Sequence, residues 1–152
     1  MVLKFDTDQN EVYLVESTGN LGVALNKWSY LREHIGTKKF YAKCVFRHID
    51  FDRSDQMVDN LEKFLKEAVG RKYGLGALTR SETVKKKDGD GTELIDEDRE
   101  FFCSELVAKA FKVLGIMKNT SKASGKFYPH HFCMRGDSEL ELTDGTIIDS
   151  EM

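Results

Sequence analysis

The stretch EDREFFCSELVAKAFKVLGIM, residues 97–117, decides how the chain is read. Cys103, Leu106, Val107, Ala110, Phe111 and Leu114 recur at helical spacing, which predicts one apolar stripe on a helix from about Cys103 to Leu114, with Gly115 ending it. The stripe begins with a cysteine, and that leaves two readings open. A thiol reacts as its thiolate, and exposed N–H groups at a helix N-terminus favour negative charge, so the position suits a nucleophile. Cysteine is also among the most buried residue types, so Cys103 can equally head a packing stripe.

Upstream, Val2–Phe5 and Val12–Ser17 are β-prone runs separated by the turn-rich DTDQN, which predicts a hairpin. NLGVAL, residues 20–25, continues as a short strand or loop, and NKWSYLREHIG, residues 26–36, reads as a short helix stopped at Gly36. The aromatic and β-branched run KFYAKCVFRH, residues 39–48, reads as a buried central strand. Met57, Val58, Leu61, Phe64, Leu65, Ala68 and Val69 give the clearest helical periodicity, with Ser54 placed to cap and Gly70 to terminate. From Arg71 to Glu100 the pattern dissolves into glycine and charge, and residues 80–100 are expected to form a mobile loop bordering a site. After the Cys103 helix, KNTSKASGK reads as a loop; KFYPHHF, LELT and TIID read as short strands, the last two as a hairpin around Asp144-Gly145.

The bulk numbers bound the function. A chain of 152 residues supports one domain with a real core, and 40% apolar with 32% charged residues is ordinary for a folded protein. A net charge of −3 gives no field for nucleic acid or anionic lipid, and Lys85–Lys87 run straight into Asp88 and Asp90. No apolar run approaches the roughly 18 to 20 residues of a membrane span, and the first ten residues lack the pattern of a signal peptide. Three irregularly spaced cysteines fit reduced thiols, so a cytoplasmic location is expected.

No cofactor motif is present, and two metal readings fail. In DGDGTELIDEDR, from Asp88, Glu93 stands where an EF-hand needs Gly, and Arg99 where it needs Glu. His130, His131 and Cys133 lack a paired C-x-x-C and a fourth ligand. Cys44 and Cys133 read as buried or half-buried structural thiols, and Tyr73 in GRKYG as a packing aromatic.

FFCSELVAKAFKVLG resembles the nucleophile helix of circularly permuted papain-like cysteine hydrolases, the YiiX-like proteins related to the NlpC-type and lecithin:retinol acyltransferase families. YLVEST resembles their second strand, KCVFRH a later one, and GRKYG the segment before the mobile loop, in the same order along residues 1 to about 145. The resemblance implies an α+β domain, residues 1–152, in which a small antiparallel sheet packs against two helices. It implies a hydrolase or acyltransferase in which Cys103 attacks an amide or ester of a peptide, peptidoglycan-like or acyl-lipid substrate and forms a thioester. It gives Glu16 the part of orienting the base. The base itself, a histidine in the first strand, falls upstream of Met1, so the rival expectation is an inactive or truncated homologue that serves as a binding module. His34 reads as exposed, and His48 ends a strand where the family has no catalytic group. A loop could fold His130 or His131 back toward Cys103, but neighbours on a strand face opposite ways, so at most one could serve.

Overall fold

The computed structural model describes residues 1–5, 8–35, 46–74, 100–133 and 140–148. The chain opens with the hairpin: β1 (Val2–Phe5) pairs antiparallel with β2 (Asp8–Thr18), whose first residues extend the strand beyond the expected Val12. β2 then pairs with β3 (Gly22–Lys27) from Tyr13↔Lys27 to Thr18↔Gly22, giving a sheet in the order β1-β2-β3. NLGVAL therefore does carry on as a strand. α1 (Trp28–His34) follows directly, and its start is tied to β2 because Glu11 accepts hydrogen bonds from the Ser29 amide and hydroxyl.

α2 (Asp55–Ala68) begins where Ser54 accepts a hydrogen bond from the Met57 amide at 3.3 Å, and Gly70, at φ 90°, turns the chain away after it. α3 (Cys103–Val113) ends at Leu114 and Gly115, which takes φ 72°. Side chains alternate across a strand, so Val15 and Ser17 of β2 and Val23 of β3 share one face. On that face Val15, Val23, Phe64, Ala68, Phe101, Leu106 and Ala110 form one core between the sheet, α2 and α3.

α3 differs from the single stripe expected of it. Its other side carries Ala108 and Phe111 into a second core with Leu114, Ile116, Met117 and Phe127. A helix buried on two sides needs apolar or small residues around most of its circumference, which the alanines at 108 and 110 supply. Among the described residues, the fold is α+β, with α2 and α3 packed on a small antiparallel sheet.

Two local expectations change. KFYPHHF is no strand: Ser124–Lys126 and Pro129–Phe132 are 3₁₀ turns, the second started by Pro129, whose fixed φ suits a first helical position. LELT and TIID do not pair with each other. Leu142 bridges to Met117, whereas β5 (Ile147–Ile148) pairs with β4 (Ile49–Asp50), and Gly145, at φ 85°, turns the chain between them. Most of the expected strand 39–48, with Cys44, lies outside the described residues; Phe46–His48 are irregular, with Phe46 exposed. The expected loop over 80–100 also lies outside the described residues, apart from Glu100.

Gly22 marks a close approach of backbone to backbone. Val23 donates to the Arg71 carbonyl and accepts from the Gly70 amide, both at 2.8 Å, so the chain after α2 runs alongside β3. A Cβ on Gly22, itself at φ 67°, would sit 2.1 Å from the Arg71 oxygen, whereas one on Gly115 would meet open space. Gly22→Ala should therefore cost about 3 kcal/mol or more and Gly115→Ala only about 1 kcal/mol, as read by urea denaturation. Equal costs would contradict the close approach.

Candidate functional site around Cys103

The residue that places Cys103 is Phe101. It is fully buried, its amide donates to the Lys72 carbonyl at 3.0 Å, and its carbonyl accepts from the Ser17 hydroxyl at 2.7 Å. Its ring meets Phe64 of α2 edge-on, with centroids 6.1 Å apart. The chain thus enters α3 held by β2 on one side and by the segment after α2 on the other, and Cys103 follows two residues later as the first helical residue.

Phe102 occupies the N-cap position, where a side-chain acceptor usually satisfies an amide of the first turn, and a phenyl ring offers none. Only the return half of a capping box is present: the Glu105 carboxylate accepts from the Phe102 amide at 3.3 Å. Ser104, next to the thiol, is 5% exposed, and its hydroxyl has no hydrogen-bond partner among the described residues. Cys103 itself is a free, half-buried thiol. Among the described residues, the first turn of α3 therefore presents backbone N–H groups beside a half-buried sulfur, with the Glu105 carboxylate folded back onto the Phe102 amide.

Tyr73 completes this end of the helix. Lys72 is fixed by its bond to Phe101, and the next residue along lays its ring against Phe102, with centroids 5.7 Å apart. Burial pushes the Tyr73 phenol above its ordinary range, and the charge of a Cys103 thiolate beside it pushes the same way. The phenol is thus held neutral and able to donate. The residues alone read Tyr73 as a packing aromatic, in a segment that the resemblance puts near the cleft; the bond that fixes its neighbour joins residues 72 and 101, too far apart in sequence for any local pattern to show.

Glu16 lies elsewhere. It alternates with Val15 and Ser17, so it points to the sheet face opposite α3, and it accepts a hydrogen bond from Asn26 at 2.8 Å. Ser17, not Glu16, is the β2 side chain turned toward the start of α3.

The histidines are also spread out. His34 Nδ1 lies 2.7 Å from the Tyr30 carbonyl at the end of α1, and His48 is exposed just before β4. His131 is buried in the 3₁₀ turn beside the second core, where the Tyr128 amide donates to its Nδ1 at 2.8 Å. That turn packs on α3 through Phe132 and Phe111, eight residues and about 12 Å of helix beyond Cys103. Cys133, expected to be buried or half-buried, is exposed at the end of the same turn. Among the described residues, no three His, Cys, Asp or Glu side chains converge as metal ligands, and no helix is long and apolar enough to cross a membrane. A shallow recess of about 110 Å³ between Phe51, Met57, Ile116 and Thr146 includes none of Cys103, Tyr73 or Glu16.

If Ser17 anchors the site, Ser17→Ala should destabilise by about 1–3 kcal/mol, because it strands the buried Phe101 carbonyl. Glu16→Ala should stay within about 0.5–1 kcal/mol, since the Asn26 bond that it removes is only partly buried. Urea midpoints for the two variants check this, and a larger loss at Glu16 would contradict it. The chain matches no protein-family model, no curated protein and no solved structure.

Proposed function

We propose that this chain is a thiol-dependent hydrolase or acyltransferase domain of the permuted papain-like kind, with Cys103 as its nucleophile. The observation that carries the reading is the half-buried thiol at the first residue of α3, on a turn fixed by Phe101 and left without a side-chain cap. The order of elements supports the architecture: the hairpin comes first, and the helix that bears the cysteine comes late and packs on the sheet.

In the reaction, the Cys103 sulfur attacks the carbonyl carbon of an amide or ester, and the displaced electron pair moves onto the carbonyl oxygen. The backbone N–H groups of the first turn and the neutral Tyr73 phenol are the donors that would hold that oxyanion. Collapse expels the amine or alcohol, which leaves with a proton, and forms a thioester; water or an amine then resolves it. The proton of the Cys103 thiol passes to the leaving group, a transfer that the resemblance assigns to a histidine of the family's first strand, which no residue of this sequence matches. Peptides, peptidoglycan-like fragments and acyl lipids all present such a carbonyl, and free thiols at Cys103 and Cys133 suit the reducing cytoplasm.

A specific observation favours a second reading. Glu16 faces away from α3 and is held by Asn26, while His34 and His131 are engaged with Tyr30 and Tyr128. An inactive domain that keeps the helix as a binding scaffold would show this same dispersal.

Competitive alkylation at neutral pH separates the two, because Cys133 is an exposed reference within the same molecule. An activated Cys103 should react with iodoacetamide at least about tenfold faster than Cys133 despite being less accessible, as read by peptide mass spectrometry. A rate at Cys103 equal to or below that of Cys133 would favour the scaffold.

A further inference from the structure

We infer that His131 is an acid-sensitive latch that closes the Pro129–Phe132 turn onto the far half of α3. The turn is short, and its amide groups have few places to go. The Tyr128 amide, at the N-cap, donates to Nδ1 of His131 three residues later at 2.8 Å, the position where a capping box would carry Glu or Gln. A ring nitrogen can accept only while it keeps its lone pair, so this bond exists only with the imidazole neutral. Protonation converts the acceptor into a donor aimed at another donor.

The surroundings oppose that proton. His131 is 5% exposed, and its ring lies 4.1 Å from that of His130, 5.7 Å from Tyr128 and 6.0 Å from Phe127. Lys122, from the loop before it, sits over the Phe127 ring, with its carbonyl accepting a hydrogen bond from Lys112 of α3. Arg47, on the chain leading into β4, donates to the Phe132 carbonyl at 2.9 Å. Among the described residues, the charged and titratable side chains around the turn are His130, Lys122, Lys112 and Arg47, together with the Cys133 thiol and the Tyr128 phenol. Burial first, then His130 and Lys122, lower the His131 pKa below its ordinary 6.5. A ring that resists protonation when closed and titrates ordinarily when open makes opening easier as pH falls below 6.5; above it the closed turn keeps its full stability.

What opens is defined by the same contacts. Phe132 leaves Phe111, the Arg47 bond breaks, and Phe127 at the second core loses its neighbour, while the first core around Phe101 and Leu106 is untouched. The device therefore bears on the 127–133 segment and not on Cys103.

Amide hydrogen exchange of the full chain tests it. The protection factor of the Tyr128 amide, corrected for intrinsic exchange, should fall between pH 7.5 and pH 5 by about tenfold for each pH unit by which burial displaces the ring, with Ala110 in mid-α3 as the internal control. His131→Gln keeps an acceptor at the third position and cannot titrate, so its Tyr128 protection should be flat over the range. A fall of less than about twofold in the wild type, an equal fall in His131→Gln, or a parallel fall at Ala110 marking global acid unfolding would each overturn the inference.

Discussion

One buried residue, Phe101, joins the parts of the molecule that would otherwise be independent. Its carbonyl takes the Ser17 hydroxyl of β2, its amide reaches Lys72, and its ring fills the space between the sheet and α2. Each bond is worth only about 1 kcal/mol net, but breaking either strands a polar group where water cannot reach it. That penalty fixes the start of α3 far more firmly than a side-chain cap at Phe102 would. Phe102 offers the first turn no cap, so its backbone N–H groups lie beside the thiol.

The rest of α3 explains why the constraint holds. Buried on two sides, the helix is shared by both cores: Leu106 and Ala110 face the sheet and α2, and Ala108 and Phe111 face the 3₁₀ turns and the β4–β5 ladder. Displacing it would open both at once. The thiol end is thereby rigid, while the opposite end carries the His131 turn, joined to the body by a few ring contacts and the Arg47 bond.

What could be read from the sequence follows the range of the forces involved. α2 was legible in full because its periodicity, its Ser54 cap and Gly70 are all local, and the same holds for both ends of α3; the first hairpin was legible as a pairing, although β2 begins at Asp8 inside the expected turn. The two-residue ladder of β4 and β5 was not, because it joins segments far apart along the chain with no alternation to reveal it. KFYPHHF misled because aromatic residues favour strands, whereas Pro129 and the His131 acceptor make a turn. Period-two alternation alone puts Val15 and Ser17 inward and Glu16 outward, whereas the resemblance points to the carboxylate. The resemblance puts the Tyr73 segment near the cleft, and the Lys72–Phe101 bond is what sets its ring against Phe102 at the start of α3.

The claim at the centre of this account is that the turn fixed by Phe101 makes Cys103 an acyl acceptor. Incubation of the full chain with p-nitrophenyl acetate, followed by intact and peptide mass spectrometry, tests it directly. The account predicts one acetyl group, on Cys103 and not on Cys133, that hydroxylamine removes as it removes a thioester. Absence of acetylation at Cys103, or acetyl groups distributed over both exposed and half-buried thiols alike, would contradict it.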